Sequence, residues 1–176
     1  MKIFYVFLDI DGVMNDFTYW EKCKERNGTA QYMSTQNYPF NPASLLNLHL
    51  LNKFLLHHRA IMRIVLSSTW RLDAESYAIV NSRLAEYGMT IYDKTPQLNR
   101  LPLDKLNSCR SFEIKKWLET HKNPTKYLIL DDDSDIINNF DESHYVNTDM
   151  QFGFDIEKLT EAQKKVEAQY GKTKSD

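Results

Sequence analysis

The sequence has little cysteine, and its two cysteines do not form a recognisable pair. Among 176 residues, Cys23 and Cys109 lie far apart and neither belongs to a C-x-x-C motif. This spacing argues against a disulfide framework. We expect two reduced thiols in an intracellular protein.

The sequence also lacks an excess of one charge and a segment long enough to cross a membrane. Lysine and arginine number 22 against 24 acidic residues, which gives a net charge of -2. A broad basic surface for nucleic acid or for an anionic membrane is therefore not expected. The apolar run at residues 3–8 is too short for a signal sequence and is followed at once by Asp9. We expect a cytoplasmic protein.

The length and composition fit one domain over residues 1–176, with 42% hydrophobic residues to build a core. Apolar runs typical of buried strands occur at residues 3–8, 61–66, 89–92, 126–130 and 144–147. Helical patterns alternate with them at residues 41–58, 73–88 and 110–121. This alternation predicts an α/β fold, a doubly wound and mostly parallel Rossmann-like sheet with helices on both faces.

Local signals place several helix ends and one insertion. Asn41 and Asp73 stand where helix N-caps are expected. An amphipathic C-terminal helix is predicted at about residues 156–170, with Thr160 as its cap. Residues from about 17 to 40 are polar and aromatic without clear periodicity. We interpret them as an inserted loop or a small cap beside the first strand.

Polar side chains follow three of the predicted strands. Asp9 and Asp11 follow the first, on the same side of the chain, and Gly12 then permits a sharp exit or a close approach to a ligand. Hydroxyls and an arginine follow the second strand at residues 67–71, and four aspartates follow the fourth within residues 131–135. The carboxyl ends of parallel strands share one edge of a sheet. Such a crowd of carboxylates suits a hard cation such as Mg²⁺ together with a phosphoryl group.

Three stretches carry a resemblance to a known family. FLDIDGV, IVLSSTWR and YLILDDDSD, in this order and each closing an apolar strand, resemble motifs I, II and IV of the haloacid dehalogenase (HAD) superfamily of phosphohydrolases. The sequence is most similar to the small HAD domains of RNA-repair and polynucleotide-phosphatase proteins, in which D-x-D-G-V-L-N, L-S-S-x-W-R, R-G-x-E-I-x-x-W-L and L-D-D-x-x-D recur. The resemblance covers about residues 2–159.

The resemblance implies roles for particular residues. Asp9 would be the nucleophile that forms an aspartyl-phosphate, and Asp11 the general acid and then the general base. Mg²⁺ would be held by the Asp9 carboxylate, the main-chain carbonyl of Asp11, and either Asp131 or Asp132. Ser67 would donate a hydrogen bond to the transferring phosphoryl oxygens.

The basic residue that the family places before motif IV has three candidates. Arg110 fills the arginine position of R-G-x-E-I, with Ser111 in place of the glycine, and Lys115 and Lys116 follow about a turn later. Asp135 is expected to support the metal loop through indirect contacts.

Trp70 and Arg71, which follow the motif II hydroxyls, are open to two interpretations. Either they bind substrate, or they are a packed tryptophan and a surface arginine.

Together these features predict a magnesium-dependent phosphatase. The resemblance favours a nucleic-acid end or a nucleotide as substrate, whereas the near-neutral charge keeps a small metabolite or a phosphoprotein open. A receiver-type signalling domain fits poorly, because its phosphoacceptor lies on a middle strand. A catalytically silent HAD scaffold would be expected to lose Asp9 or Asp11, and both are present. The sequence indicates no membrane and no protein partner.

Overall fold

The computed structural model describes residues 1–27, 40–98 and 110–170. Within them lies one five-stranded sheet in the order β3-β2-β1-β4-β5, and all its neighbouring strands are parallel. The predicted α/β, doubly wound parallel architecture is therefore confirmed. The strands are β1 (Lys2–Leu8), β2 (Ala60–Leu66), β3 (Ile91–Lys94), β4 (Tyr127–Asp131) and β5 (Tyr145–Asn147). The helices are α1 (Phe17–Asn27), α2 (Pro42–His57), α3 (Ala74–Ala85), α4 (Arg110–Thr120), α5 (Ser134–Asn139) and α6 (Ile156–Tyr170).

The central strands are apolar on both sides because helices cover both faces of the sheet. On one face, alternate β1 residues such as Val6 join a core with the apolar sides of α2, α3 and α6. On the other face, Phe7 packs with Ile114 and Trp117 of α4 and with Ile136 of α5. This two-sided burial explains why the strands are continuous apolar runs rather than alternating ones.

Side-chain caps mark the starts of three helices, and one of the predicted caps was wrong. The Asn41 side chain accepts a hydrogen bond from the second residue of α2, and Asp73 caps α3 in the same manner, as predicted. Thr160 was wrongly predicted to cap α6. The helix begins at Ile156, the Asp155 side chain accepts from an amide of its first turn at 2.9 Å, and the Thr160 hydroxyl donates to a carbonyl one turn back. Aspartate is as good a cap as threonine, and here it stands directly before the first turn.

The segment interpreted as an insertion begins with a helix. Residues 17–27 form α1, and the Asp16 carboxylate accepts from the Tyr19 amide at 2.8 Å and from the Asn41 side chain at 2.6 Å. Residues 28–39 lie outside the described part of the chain, as does Cys109. In the described ranges no helix has the length and apolar character needed to span a membrane.

Candidate functional site

A row of polar residues crosses the sheet at the carboxyl ends of its strands. In the order β3-β2-β1-β4-β5 it consists of Thr95, Ser67, Asp9, Asp131 and Asn147, as the register of the strands and the backbone hydrogen bonds at their ends show. Strand pairing alone therefore brings the predicted motif I, II and IV residues together. Asp9 and Asp131 face α4, because Arg110 contacts both carboxylates.

Asp9 lies at the centre of this row. Its side chain is 4% exposed, accepts from the Ile10 amide at 2.8 Å and pairs with Arg110 at 2.7 Å. Burial raises the pKa of Asp9, since it penalises the charged form, and the Arg110 charge acts in the opposite direction. The result is a fixed, dry carboxylate next to a permanent positive charge.

Arg110, of the three basic candidates, is the one that reaches Asp9. Its Nη1 atom lies 2.7 Å from Asp9, 3.0 Å from Asp131 and 2.5 Å from the Ser67 carbonyl oxygen. Burial lowers the guanidinium pKa, but the two carboxylates outweigh burial and raise it. Lys115 instead donates to Asn139 on α5, and Lys116 pairs with Glu119 on the exposed side of α4.

Three carboxylates gather closely enough to share a cation. Asp9, Asp131 and Asp132 each offer an oxygen, and these oxygens lie within 4.8 Å of one another. Burial first, and then the Asp9 charge, raise the pKa of Asp131 well above its ordinary range and that of Asp132 to about 6. Each carboxylate thus resists ionisation beside the others, a repulsion that a divalent cation would relieve.

Gly12 makes this crowding possible. Its φ is +72°, and a Cβ atom there would lie 2.5 Å from Asp132 Oδ2. The sequence predicts a sharp exit or a close approach to a ligand at this glycine. The close approach is to a carboxylate of the cluster, so any side chain at position 12 would displace Asp132.

Asp11 has two hydrogen-bond donors that hold its carboxylate. Asn15 Nδ2 donates to Oδ1 at 2.8 Å, and Trp70 Nε1 donates to Oδ2 at 3.1 Å. Asn15 Oδ1 also accepts from the Gly12 amide at 3.2 Å, which closes the turn after β1. The side chain of Asp11 is therefore oriented separately from the buried cluster.

Ser67 offers the hydroxyl expected beside a phosphoryl group. The residue is 0% exposed, and its Oγ atom has no hydrogen-bond partner within residues 1–27, 40–98 and 110–170. A buried hydroxyl without a partner is costly, so it suits an oxygen that arrives with a ligand.

Arg71 does not lie on the surface, so that alternative was wrong. Its side chain is 4% exposed and forms an ion pair with Glu113 at 2.6 Å. It also donates to the carbonyl oxygens of Ser68, Thr95 and Pro96. The backbone carbonyls and one carboxylate together account for the burial of its charge.

Two acidic residues hold α4, and with it Arg110. Glu113 joins α4 to the β2 end through Arg71. Asp135 accepts from the Ser111 amide at 2.8 Å in the first turn of α4, and its other oxygen accepts from Asn139 at 2.9 Å. The Asp135 side chain therefore acts on the helix that carries the arginine, and its contact with the loop after β4 is made by its backbone amide, which donates to Asp133 Oδ1 at 2.9 Å.

Comparison with known proteins agrees with this geometry. Residues 5–159 match the family described as the HAD domain in Swiss Army Knife RNA repair proteins. The chain belongs to this HAD family. The match contains most of β1 and the whole of the other four strands, together with Asp9, Asp11, Asp131 and Asp132. No curated protein and no solved structure matches the chain.

Family membership indicates a phosphatase-type function for this HAD domain, and the aspartate cluster could hold the metal ion that such domains typically use.

Several residues near the carboxylate cluster were not predicted from the sequence. Asn15 is the last residue of the D-x-D-G-V-L-N pattern, so the pattern itself could have identified it. Thr95 and Asn147 required the register of the edge strands, and the contact of Trp70 with Asp11 required the tertiary structure.

Proposed function

We propose that this HAD domain is a magnesium-dependent phosphatase that works through an aspartyl-phosphate on Asp9. The observation that carries the proposal is the buried Asp9 carboxylate, fixed by Arg110 and joined by Asp131 and Asp132. A purely structural role for such a cluster is unfavourable, since uncompensated buried carboxylates cost stability. A catalytic role explains why they are there.

In the first half of the reaction, an oxygen of Asp9 attacks phosphorus. The bond between phosphorus and the ester oxygen breaks, and that oxygen takes a proton from the Asp11 carboxyl group. Arg110 and the Ser67 hydroxyl stabilise the negative charge on the transferring phosphoryl oxygens. The products of this half are the free alcohol and phosphorylated Asp9.

In the second half, a water molecule attacks the same phosphorus atom. Its proton passes to the Asp11 carboxylate, and the bond between phosphorus and Asp9 breaks. Inorganic phosphate leaves, and both aspartates return to their starting states. Asp11 thus serves as acid and then as base without net consumption of protons.

The donor set fits Mg²⁺, which prefers oxygen ligands. Asp9 and the main-chain carbonyl of Asp11 would supply two ligands, and Asp132 a third. Asp131 already accepts from Arg110 at 3.0 Å and from the Asp133 amide at 3.0 Å, which favours Asp132 as the direct ligand. The ion, when bound, would neutralise charge on the carboxylates and on the substrate phosphate.

We propose a phosphorylated nucleic-acid end or a nucleotide as the substrate class. The support is the family description, which places such domains in RNA-repair proteins. With a net charge of -2, the chain lacks the basic excess typical of tight, salt-sensitive polynucleotide binding. Recognition of a short phosphorylated end is consistent with that charge.

The test measures release of inorganic phosphate with magnesium or with a chelator. The panel contains p-nitrophenyl phosphate, nucleotides, sugar phosphates, a phosphopeptide, and DNA and RNA oligonucleotides phosphorylated at either end. We expect Asp9→Asn and the chelator each to reduce turnover to background. Asp141→Asn is the matched control, because Asp141 caps the short 3₁₀-helix that precedes β5. This cap lies at the amino ends of the strands, whereas the candidate site lies at their carboxyl ends.

The outcomes separate the possible functions. Preference for oligonucleotide ends or nucleotides supports the proposed substrate class, whereas preference for sugar phosphates or the phosphopeptide refutes it. A folded protein that binds magnesium but hydrolyses nothing on the panel would be a silent HAD scaffold.

A further inference from the structure

Trp70 contacts Asp11 through the one polar atom of its ring. It lies in the 3₁₀-turn Thr69–Leu72 directly after β2, is 9% exposed, and donates from Nε1 to Asp11 Oδ2 at 3.1 Å. Its ring also packs edge-on against Phe40, with the ring centroids 5.5 Å apart. The indole is thereby confined by packing while its N–H points at the carboxylate.

The turn that carries Trp70 is itself anchored. The next residue, Arg71, is bound to the carbonyl of Ser68 at 2.6 Å and to Glu113 at 2.6 Å. These buried contacts fix the backbone on both sides of the indole. The position of the N–H donor is therefore set by the fold rather than by a flexible surface loop.

Two donors on opposite oxygens lock the rotation of the Asp11 carboxyl group. Asn15 holds Oδ1 at 2.8 Å and Trp70 holds Oδ2. A carboxyl group has about four lone-pair positions, so each oxygen keeps one free for a proton or for substrate. Without the indole N–H, the hydrogen bond from Asn15 remains, but the Asp11 carboxyl group can again rotate about its Cβ–Cγ bond.

We propose that Trp70 is a positioning residue that orients Asp11 toward the leaving-group oxygen. The proposal rests on the phosphatase function and on the role of Asp11 proposed above. The loss of rate on removing the indole N–H should depend on the leaving group of the substrate. An alkoxide leaving group needs a proton from a well-oriented acid, whereas p-nitrophenolate leaves without one.

A packing role for Trp70 predicts a different result. If the ring only fills space against Phe40, Trp70→Phe should affect all substrates equally, through stability or through the general shape of the site. The comparison of two leaving groups in the same variant therefore separates the two roles, because protein stability cancels in the ratio of the two rates.

The experiment measures kcat/KM for p-nitrophenyl phosphate and for the best alkyl phosphate among the nucleotides and sugar phosphates. This constant includes the cleavage of the ester bond. We expect Trp70→Phe to lower it about tenfold for the alkyl phosphate and less than about twofold for p-nitrophenyl phosphate. Trp70→His, which keeps a ring N–H, should recover part of the difference.

Trp117→Phe is the matched control. Trp117 also donates from its indole to a carboxylate, Asp93 at 2.6 Å, but in the core between α4 and the sheet. Removing that bond should leave the ratio of the two constants unchanged. Thermal melting of every variant shows whether it is folded.

Each outcome decides between the roles. If Trp70→Phe loses activity equally on both substrates, the proposal is overturned while the phosphatase function stands. The same conclusion follows if Trp70→Phe and Trp70→His change the ratio of the two kcat/KM values equally. If Trp70→Phe does not fold, Trp70→His is compared with wild type. An equal loss on both substrates in that variant overturns the proposal, whereas a loss confined to the alkyl phosphate supports it. Wild-type activity that is absent or unaffected by Asp9→Asn removes the phosphatase function and this proposal with it.

Discussion

Replacing Asp132 by asparagine should stabilise the metal-free protein at neutral and alkaline pH. Burial and the neighbouring Asp9 charge raise the pKa of Asp132 from an ordinary 3.8 to about 6. The ionised carboxylate is therefore less stable in the folded protein than in the unfolded chain. Asparagine keeps the shape of the side chain without the charge.

The difference between about 6 and 3.8 corresponds to about 3 kcal/mol when Asp132 is fully ionised. Asp132 is partly exposed, and solvent screening reduces the expected gain to about 1–2 kcal/mol. For a domain of 176 residues this corresponds to a rise in melting temperature of about 3–6 °C.

The stability gained by Asp132→Asn should be larger at high pH than at low pH. Between pH 3.8 and about pH 6, the folded protein holds a proton on Asp132 that the unfolded chain has lost. The contribution of Asp132 to the free energy of unfolding therefore increases as the pH falls from 7 through 6 toward 4. The advantage of the asparagine variant is full above pH 7 and fades toward pH 4.

The assay is thermal unfolding in a chelator at pH 8 and at pH 4.5, followed by addition of magnesium at pH 8. Magnesium should raise the melting temperature of the wild type more than that of Asp132→Asn, because the variant lacks one of the carboxylates that we propose as ligands. Equal melting temperatures at pH 8 in the chelator, or the same difference at both pH values, would refute the reasoning. Asp141→Asn, which removes an exposed carboxylate, should give no gain at either pH.

Three further predictions follow from the contacts of the site. Arg110→Ala should lower kcat for the preferred substrate by about 10²–10³-fold and Arg110→Lys by less, as measured by phosphate release, because Arg110 pairs with Asp9 and is proposed to stabilise the charge on the phosphoryl group. Ser67→Ala should lower kcat with little change in melting temperature, since its hydroxyl has no partner among the described residues; an unchanged kcat would contradict phosphate binding. Glu113→Gln should lower the free energy of unfolding, measured in urea, by about 3–5 kcal/mol, because Arg71 is left buried without its carboxylate. The double variant Arg71→Met with Glu113→Leu should lower it by less than this single change.

The sheet could be predicted from the sequence because its strands are short apolar runs that end in polar residues. The run at residues 61–66 became β2 at Ala60–Leu66, and the one at 126–130 became β4 at Tyr127–Asp131. The weaker run at 89–92 was placed two residues early, since β3 covers Ile91–Lys94 at the edge of the sheet, where its residues alternate between half-buried and exposed. A continuous apolar run marks a strand best where both of its faces are covered.

The carboxylate cluster was predictable for a related reason, whereas its supports were not. Asp9 and Asp131 follow directly from the strand ends. The pairing of Arg71 with Glu113 joins residues 42 positions apart, and no local pattern distinguishes a buried arginine from an exposed one. Helix α1 also escaped, because its sequence, FTYWEKCKERN, is largely polar and its N-cap, Asp16, is shared with the distant Asn41.

Folding and catalysis are connected in this domain through α4. The register of the sheet brings Asp9 and Asp131 side by side, where their charges repel. Arg110 relieves that repulsion. Its position depends on Glu113, three residues later on α4, and on Asp135 of α5, whose side chain accepts from an amide in the first turn of α4. The same contacts that allow the carboxylates to be buried thus place a positive charge where phosphate would bind. A substitution that loosens α4 should therefore weaken activity before it unfolds the protein, because Arg110 can move by a distance that matters for charge stabilisation while the core of the sheet stays intact.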